Sequence, residues 1–418
     1  MDDLHVDALR IKKRLAFLAT FGFNEQGGID RNFGSPADLQ VREVLLRQLR
    51  EEVKAETHVD AAANIWGLVN TTASLPFIAV GSHHDSVVNG GRYDGAMGIV
   101  LAMEVLQVLQ ESERQLRHPL ALVSFTAEEP NPFDLSTFGS RSAAGKLKQE
   151  LVRSARNAVS GQTLSEALQL AGGDLDKLPE AKLKPEAFSA FIECHIEQGK
   201  RLEKYALPLA VVSGITGIYR ETIRICGEAN HAGTTVMADR HDALAAASAF
   251  CLAFEGVLKN VGRDDVVGTI GRFSILPNAV NIIPSEVSLT LELRAPNQTL
   301  VEQVLTGLNE QVESIENARG VKIKRELLLD QAAVAMNKVV MKAMSNAVEM
   351  EQEKSLTLTS MAGHDATHMA GLTKAGMLFV RSIDGKSHCP EEESRLEDIE
   401  KAGNVLLQTI LALDKELD

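Results

Sequence analysis

Residues 79–100 read AVGSHHDSVVNGGRYDGAMGIV. The apolar run Phe77 to Ser82 is read as a short buried strand, and it ends directly on His83, His84 and Asp85. Gly90 and Gly91 let the following loop fold back, Asp94 comes next, and from Gly95 to Gln110 small residues give way to helical apolar spacing. Strand, polar loop and helix together form the repeating unit of an α/β fold, in which ligands gather at the carboxyl ends of the strands. A core would reject such imidazoles and carboxylates without a counter-ion. Neutral imidazole nitrogen and ionised carboxylate oxygen are ligands that a divalent metal takes.

Working outward, LALVSF (Leu120 to Phe125) and FSAFIEC (Phe188 to Cys194) read as two more buried strands. SPADLQVREVLLRQLREEV (Ser35 to Val53) reads as an amphipathic helix with Ser35 as cap and Pro36 at the first helical position. The three strands run into SHHD, TAEEP and HIEQ, so three polar loops are expected on one edge of a largely parallel sheet. Near Ser213 the character changes to strand, helix, strand, strand, helix, strand, the pattern of a small α+β sandwich with an antiparallel sheet. After about Leu329 the first style returns, with a helix over Asn337 to Glu349, strand-like segments near LTLT and MLFV, and a last helix over Leu396 to Leu413. The expected organisation is a catalytic domain of residues 1–212 plus 330–418, interrupted by an inserted domain of residues 213–329. A chain of 418 residues exceeds what one core usually serves, in keeping with two domains.

Composition excludes several classes of partner. With 43 basic against 57 acidic residues the net charge is −14, which argues against nucleic acid and against anionic membrane. No apolar run is read as reaching the length of a membrane span, and the opening MDDLHVDALRIKKRL lacks the apolar core of a signal peptide. Cys194, Cys226, Cys251 and Cys389 are widely spaced with no CxxC pair, as expected of reduced thiols in a cytoplasmic protein.

The titratable residues form a pattern. His83 and Asp85 make an HxD unit, in which Asp85 is expected to accept from the far nitrogen of His83 and fix its tautomer. Asp94 could bridge two metals; the plainer alternative is a helix cap. Glu128 and Glu129 would repel each other unless their roles separate, one toward a metal and the other toward substrate. His195 follows the third strand and His388 lies in the late loop DGKSHCPEEE. Together His83, Asp94, Glu129, His195 and His388 make a ligand set that suits two metals with one bridging carboxylate. In the inserted domain, His231 of GEANHAGTT is expected on a mobile lid as a donor to a developing oxyanion. Asn281 and Arg294 offer a neutral donor and a guanidinium able to grip a carboxylate, against the plainer readings of a turn amide and a surface cation.

These motifs resemble those of the dinuclear-metal amidohydrolases that include N-carbamoyl-L-amino-acid hydrolase, β-ureidopropionase and allantoate amidohydrolase, relatives of the aminoacylases and metal carboxypeptidases. The resemblance runs through GGIDR, GSHHDSV, NGGRYDG, TAEEP, STFGSR, HIEQG, SGITG, NHAGTT, PNAVNIIP, GHDA and SHCPEE, nearly the whole chain. It implies a phosphorylase/hydrolase-like catalytic domain carrying two divalent ions (zinc or manganese, with cobalt able to occupy the same site) and a lid domain that forms a homodimer. It further implies Glu128 as general base, Asp85 as partner of His83, and His231 as the lid histidine that reaches the partner subunit's active site. Gln198, Asn281, Arg294 and the Gly363 backbone would then contact a small substrate carrying a carboxylate.

The implied reaction is hydrolysis of the carbamoyl amide of an N-carbamoyl-L-amino acid to amino acid, ammonia and carbon dioxide. The alternatives are an allantoate amidohydrolase and an N-acyl amino acid or dipeptide hydrolase. A binder that kept the fold without catalysis is disfavoured, because Glu128 and all five ligand positions are filled. Three departures bear on substrate: Pro130 after the glutamate pair, Arg381 in FVRS, expected to put a charge at the site's edge, and His84 where relatives often carry an aliphatic residue.

Overall fold

A computed structural model describes residues 4–70, 72–147 and 149–417. The chain divides into two compact units: Met1–Ser213 with Ala335–Leu358 and Gly363–Asp418, and Gly214–Val334 with Thr359–Ala362.

The first unit is built on a mixed sheet. Four of its strands run parallel, in the spatial order Leu120–Phe125, Phe77–His83, Phe188–Ile196, Lys374–Val380. Ile65–Val69 pairs antiparallel outside the first of them, and Leu209–Ile215 outside the last. All six residues of Leu120–Phe125 are buried, as are eight of the nine in Phe188–Ile196, because helices cover both faces and alternation is lost. The helix Ala96–Glu111 packs against this sheet and buries every residue from Ala96 to Leu109, the signature of a helix inside a core. Ser35 caps Pro36–Glu51 by accepting the Asp38 N–H, as its sequence predicts. The antiparallel pair Glu56–Val59 and Ile65–Val69 and the short helices Phe138–Ala143, Leu164–Leu170 and Arg201–Tyr205 are additions the sequence reading does not anticipate. A satellite core of Phe33, Phe133, Phe138, Leu164 and Leu168 lies under the loop after Phe125 and fixes its path.

The second unit is a four-stranded antiparallel sheet in the order Lys322–Gln331, Gly217–Cys226, Glu286–Ala295, Val267–Leu276. Helices Ala243–Val261 and Gln298–Arg319 pack together and cover one face, with Phe250, Phe254, Leu289, Leu291, Val304 and Leu308 in its core. One expectation is corrected here. Ala243–Val261 is long and apolar enough to cross a membrane by length and composition. Its Ala243, Ala246, Ala247, Phe250 and Phe254 are spent on this core.

Candidate active site

The parallel register sets the site. His83 pairs with Phe125 at the end of one strand, and His195 stands opposite Phe379 at the end of another, so three strand ends release their loops together. Gly95 lets this edge close: at φ 60° it lies where a Cβ would sit 2.3–2.4 Å from the His83 ring.

Asp94 is the centre of the cluster. Its Oδ1 lies 3.1 Å from His195 Nε2 and 3.4 Å from His83 Nε2. Its Oδ2 lies 3.4 Å from His388 Nε2, which is itself 3.1 Å from Glu129 Oε1. The two oxygens of one carboxylate thus face two ligand groups, His83–Asp94–His195 and Asp94–Glu129–His388, each compact enough to hold one ion. Asp94 caps no helix; the N-cap of Ala96–Glu111 is Gly95. Glu128 Oε2 stands 3.8 Å from His83 Nε2.

Asp85 differs in detail from expectation. His83 Nδ1 lies 3.1 Å from the Asp85 carbonyl oxygen and 3.5 Å from its carboxylate. The carboxylate instead accepts the backbone N–H groups of Glu128 at 3.2 Å and Glu129 at 3.1 Å. Asp85 therefore holds the glutamate pair as much as the imidazole. The same loop is pinned from below by N–H bonds of Thr137, Phe138 and Gly139 to the carbonyls of Glu128, Ala127 and Thr126. Pro130 is exposed, and Asn131 Nδ2 donates to the Glu129 carbonyl.

Electrostatics set the roles apart. Burial raises the Glu128 carboxyl well above its ordinary range, and Glu129, Asp365 and Asp85 add to this against the charge of His83. Burial also raises Glu129, with the Asp94 charge beside it. Burial would raise Asp94 as well, but the three imidazoles outweigh it and hold its pKa well below the usual value. Asp85, Asp94, Glu128, Glu129, Glu193 and Glu392 are all buried here. Burying that many carboxylates against three imidazoles calls for further positive charge. Glu129 Oε1 is buried, and its contact with His388 Nε2 at 3.1 Å is an ion pair without hydrogen-bond geometry. This donor set of imidazoles and carboxylates, with a buried carboxylate oxygen that accepts no well-formed hydrogen bond, fits two divalent cations.

Gln198 joins this cluster: its Nε2 donates to Asp94 Oδ2 at 2.7 Å, and its backbone N–H bonds Ser382 Oγ at 3.0 Å. Ala127, Gln198 and His388 adopt positive φ at the edge of the cluster, a strain that tends to concentrate at functional sites. Gly363 belongs to the first unit.

His231, Asn281 and Arg294 belong to the second unit. The His231 loop pairs with Ile282, the Ala232 N–H bonds the Asn281 carbonyl at 3.0 Å, and His231 Nδ1 accepts the Gly233 N–H at 3.0 Å. Arg294 has two partners of its own, Glu292 at 2.8 Å and the Met361 carbonyl at 2.6 Å.

Two of the sequence departures resolve structurally. Arg381 is engaged by Asp398, at 2.8 Å and 3.0 Å, so its charge is paired. His84 is fully buried between Asp38 at 2.8 Å and Ser124 at 2.6 Å, and Arg42 binds the same Asp38 at 3.1 Å. Sequence reasoning missed the buried Glu392; the acidic run in SHCPEEE was the only local signal.

The family model described as peptidase family M20/M25/M40 matches residues 68–412. The chain belongs to this family. It is 36% identical to the N-carbamoyl-L-amino acid amidohydrolase of Geobacillus stearothermophilus, over 97% of this chain and 98% of that protein. It is 31% identical to the allantoate amidohydrolase of Escherichia coli strain K12, over 93% of this chain and 94% of that one. A crystal structure of an amidase of the hydantoinase/carbamoylase family from Burkholderia multivorans superposes with a TM-score of 0.88 at 30% identity, covering 98% of both chains. The protein is accordingly an M20-family metallo-amidohydrolase of the carbamoylase type, a family with a dinuclear metal site, and its antiparallel unit is the inserted lid domain.

Proposed function

We propose that the protein hydrolyses the carbamoyl amide of N-carbamoyl-L-amino acids, yielding the amino acid, ammonia and carbon dioxide. The observation that carries this reading is the Asp94 carboxylate, which offers one oxygen to His83 and His195 and the other toward His388 and Glu129, with Glu128 alongside. His83, Asp94 and His195 would hold one cation, and Asp94, Glu129 and His388 the other. Zinc or manganese suits these ligands, and cobalt could replace either. When bound, such ions polarise a carbonyl and acidify water at neutral pH. Glu128 takes the proton of the attacking water and returns it to the leaving nitrogen, a task for which a raised carboxyl pKa is suited. Asp85 keeps Glu128 and Glu129 aimed by holding their N–H groups. Gln198 orients Asp94 and, with Asn281, Arg294 and the Gly363 backbone, receives the substrate; Arg294 takes its carboxylate and His231 the developing oxyanion.

Similarity to the Geobacillus stearothermophilus enzyme supports the carbamoyl substrate. Similarity to the Escherichia coli allantoate amidohydrolase supports allantoate as the second reading. A homodimer through the inserted unit belongs to the same proposal. Val267–Leu276 is an edge strand with exposed Phe273 and Leu276, and Leu252 is exposed on the neighbouring helix, which supports it. Four free cysteines support a cytoplasmic location.

The test is ammonia release by manganese-loaded protein on N-carbamoyl-L-amino acids, N-carbamoyl-β-alanine, allantoate and N-acetyl amino acids. Turnover of the carbamoyl-L-amino acids that EDTA abolishes is expected. Turnover of allantoate alone would transfer the assignment to the second reading, and amino acid without ammonia from the acetyl substrates would overturn both.

A further inference from the structure

Three glutamates follow Pro390, and burial separates them: Glu392 is 1% exposed, while Glu391 and Glu393 are open to solvent. Glu392 Oε1 accepts two backbone N–H groups, from Tyr93 at 2.8 Å and from Asp94 at 3.0 Å. Its Oε2 accepts the Ser387 hydroxyl at 3.0 Å. Ser387 Oγ also lies 2.9 Å from Asp94 Oδ2, and its single hydrogen can serve only one of the two carboxylates at a time. Room for this arrangement comes from Gly91: a Cβ there would lie 2.0 Å from the Glu392 carboxyl carbon and Oε1. Buried carboxylates are tolerated when hydrogen bonds replace the lost water, and three do so here. Asp94 and His388 arrive on loops nearly three hundred residues apart, and Glu392 is the side chain that bonds the backbone of one loop and the Ser387 hydroxyl of the other.

We propose that Glu392 is a positioning residue that clasps the Asp94 loop to the His388 loop and thereby sets the separation of the two ligand groups. It acts through the Asp94 backbone and Ser387. The inference rests on reading Asp94 and His388 as metal ligands.

The test compares Glu392→Ala, Glu392→Gln and Gly91→Ala with wild type by two measurements. One is zinc affinity and stoichiometry by chelator competition. The other is amide hydrogen exchange over residues 89–95 and 383–391 in EDTA-treated protein. Glu392→Ala is expected to weaken one of two zinc ions about 10- to 100-fold and to speed exchange at Tyr93 and Asp94. Gly91→Ala should reproduce this by displacing the carboxylate. Glu392→Gln keeps an oxygen that accepts both N–H groups, so its zinc affinity should stay within about threefold of wild type. Unchanged zinc affinity and exchange in Glu392→Ala, with only a lower melting temperature, would reduce Glu392 to a packing residue and overturn the proposal. A wild type that binds no zinc would overturn the ligand reading, while the exchange comparison would still decide whether the clasp exists.

Discussion

The Asp85 carboxylate accepts the backbone N–H of Glu129 at 3.1 Å, joining the loop after one strand to the loop after its neighbour. Because Asp85 also holds the Glu128 N–H and lies beside His83, one side chain aligns a ligand pair and the adjacent acid. Asp85→Ala should therefore lower both metal affinity and kcat, each by about 10- to 100-fold, the range seen when groups supporting metal ligands are removed. Asp85→Asn, which keeps one acceptor oxygen, should fall between. A kcat within twofold of wild type in Asp85→Ala would remove it from the machinery.

His388 differs from the other imidazoles in being 45% exposed at its side chain. His388→Ala leaves His83, Asp94 and His195 in place. Metal content should fall from two to one per chain, with little loss of fold stability. Elemental analysis after desalting checks this; two retained ions would contradict the split into two ligand groups.

Much of this site was legible because strand ends are local features. SHHD, TAEEP and HIEQ each follow an apolar run, and a parallel sheet brings such ends together whatever their separation in the chain. What the sequence withheld is pairing between distant residues. His84 gives no local hint that it meets Asp38, and nothing in FVRS points Arg381 to Asp398. Nor does the EEE run say which glutamate turns inward. The glycines carried that information in another form: Gly91 and Gly95 are positions where another side chain takes the space of a Cβ, and this is visible only once the loops are folded.

His368 gives a pH dependence of stability. Burial, reinforced by the charges of Lys146 and Arg141, lowers its pKa from an ordinary 6.5 to about 3. Between those values the unfolded chain binds a proton that the folded chain refuses, so stability rises with pH across the window and is lost as pH falls from 6.5 toward 3. The slope from this one group approaches about 1.4 kcal/mol per pH unit at most. Urea midpoints at pH 6.5 and 5 should converge between wild type and His368→Gln by roughly 1–2 kcal/mol equivalent. Parallel curves would show that His368 is not the source.

Arg294 is held by Glu292 and the Met361 carbonyl, which pre-orient its guanidinium. If it takes the substrate carboxylate, Arg294→Ala should lower kcat/KM by about 10²-fold, mostly through KM, as loss of a charged hydrogen bond of about 2–3 kcal/mol implies. An unchanged KM for the carboxylate-bearing substrate would exclude the contact.

The assignment of Glu128 as the proton-transfer group is the claim on which the account turns. It is tested by the ammonia that Glu128→Gln, loaded with two equivalents of manganese, releases from an N-carbamoyl-L-amino acid. Both metals should remain bound while kcat falls about 10²- to 10⁴-fold, the usual contribution of a general acid–base group. Turnover at the wild-type rate, with both metals in place, would contradict the account.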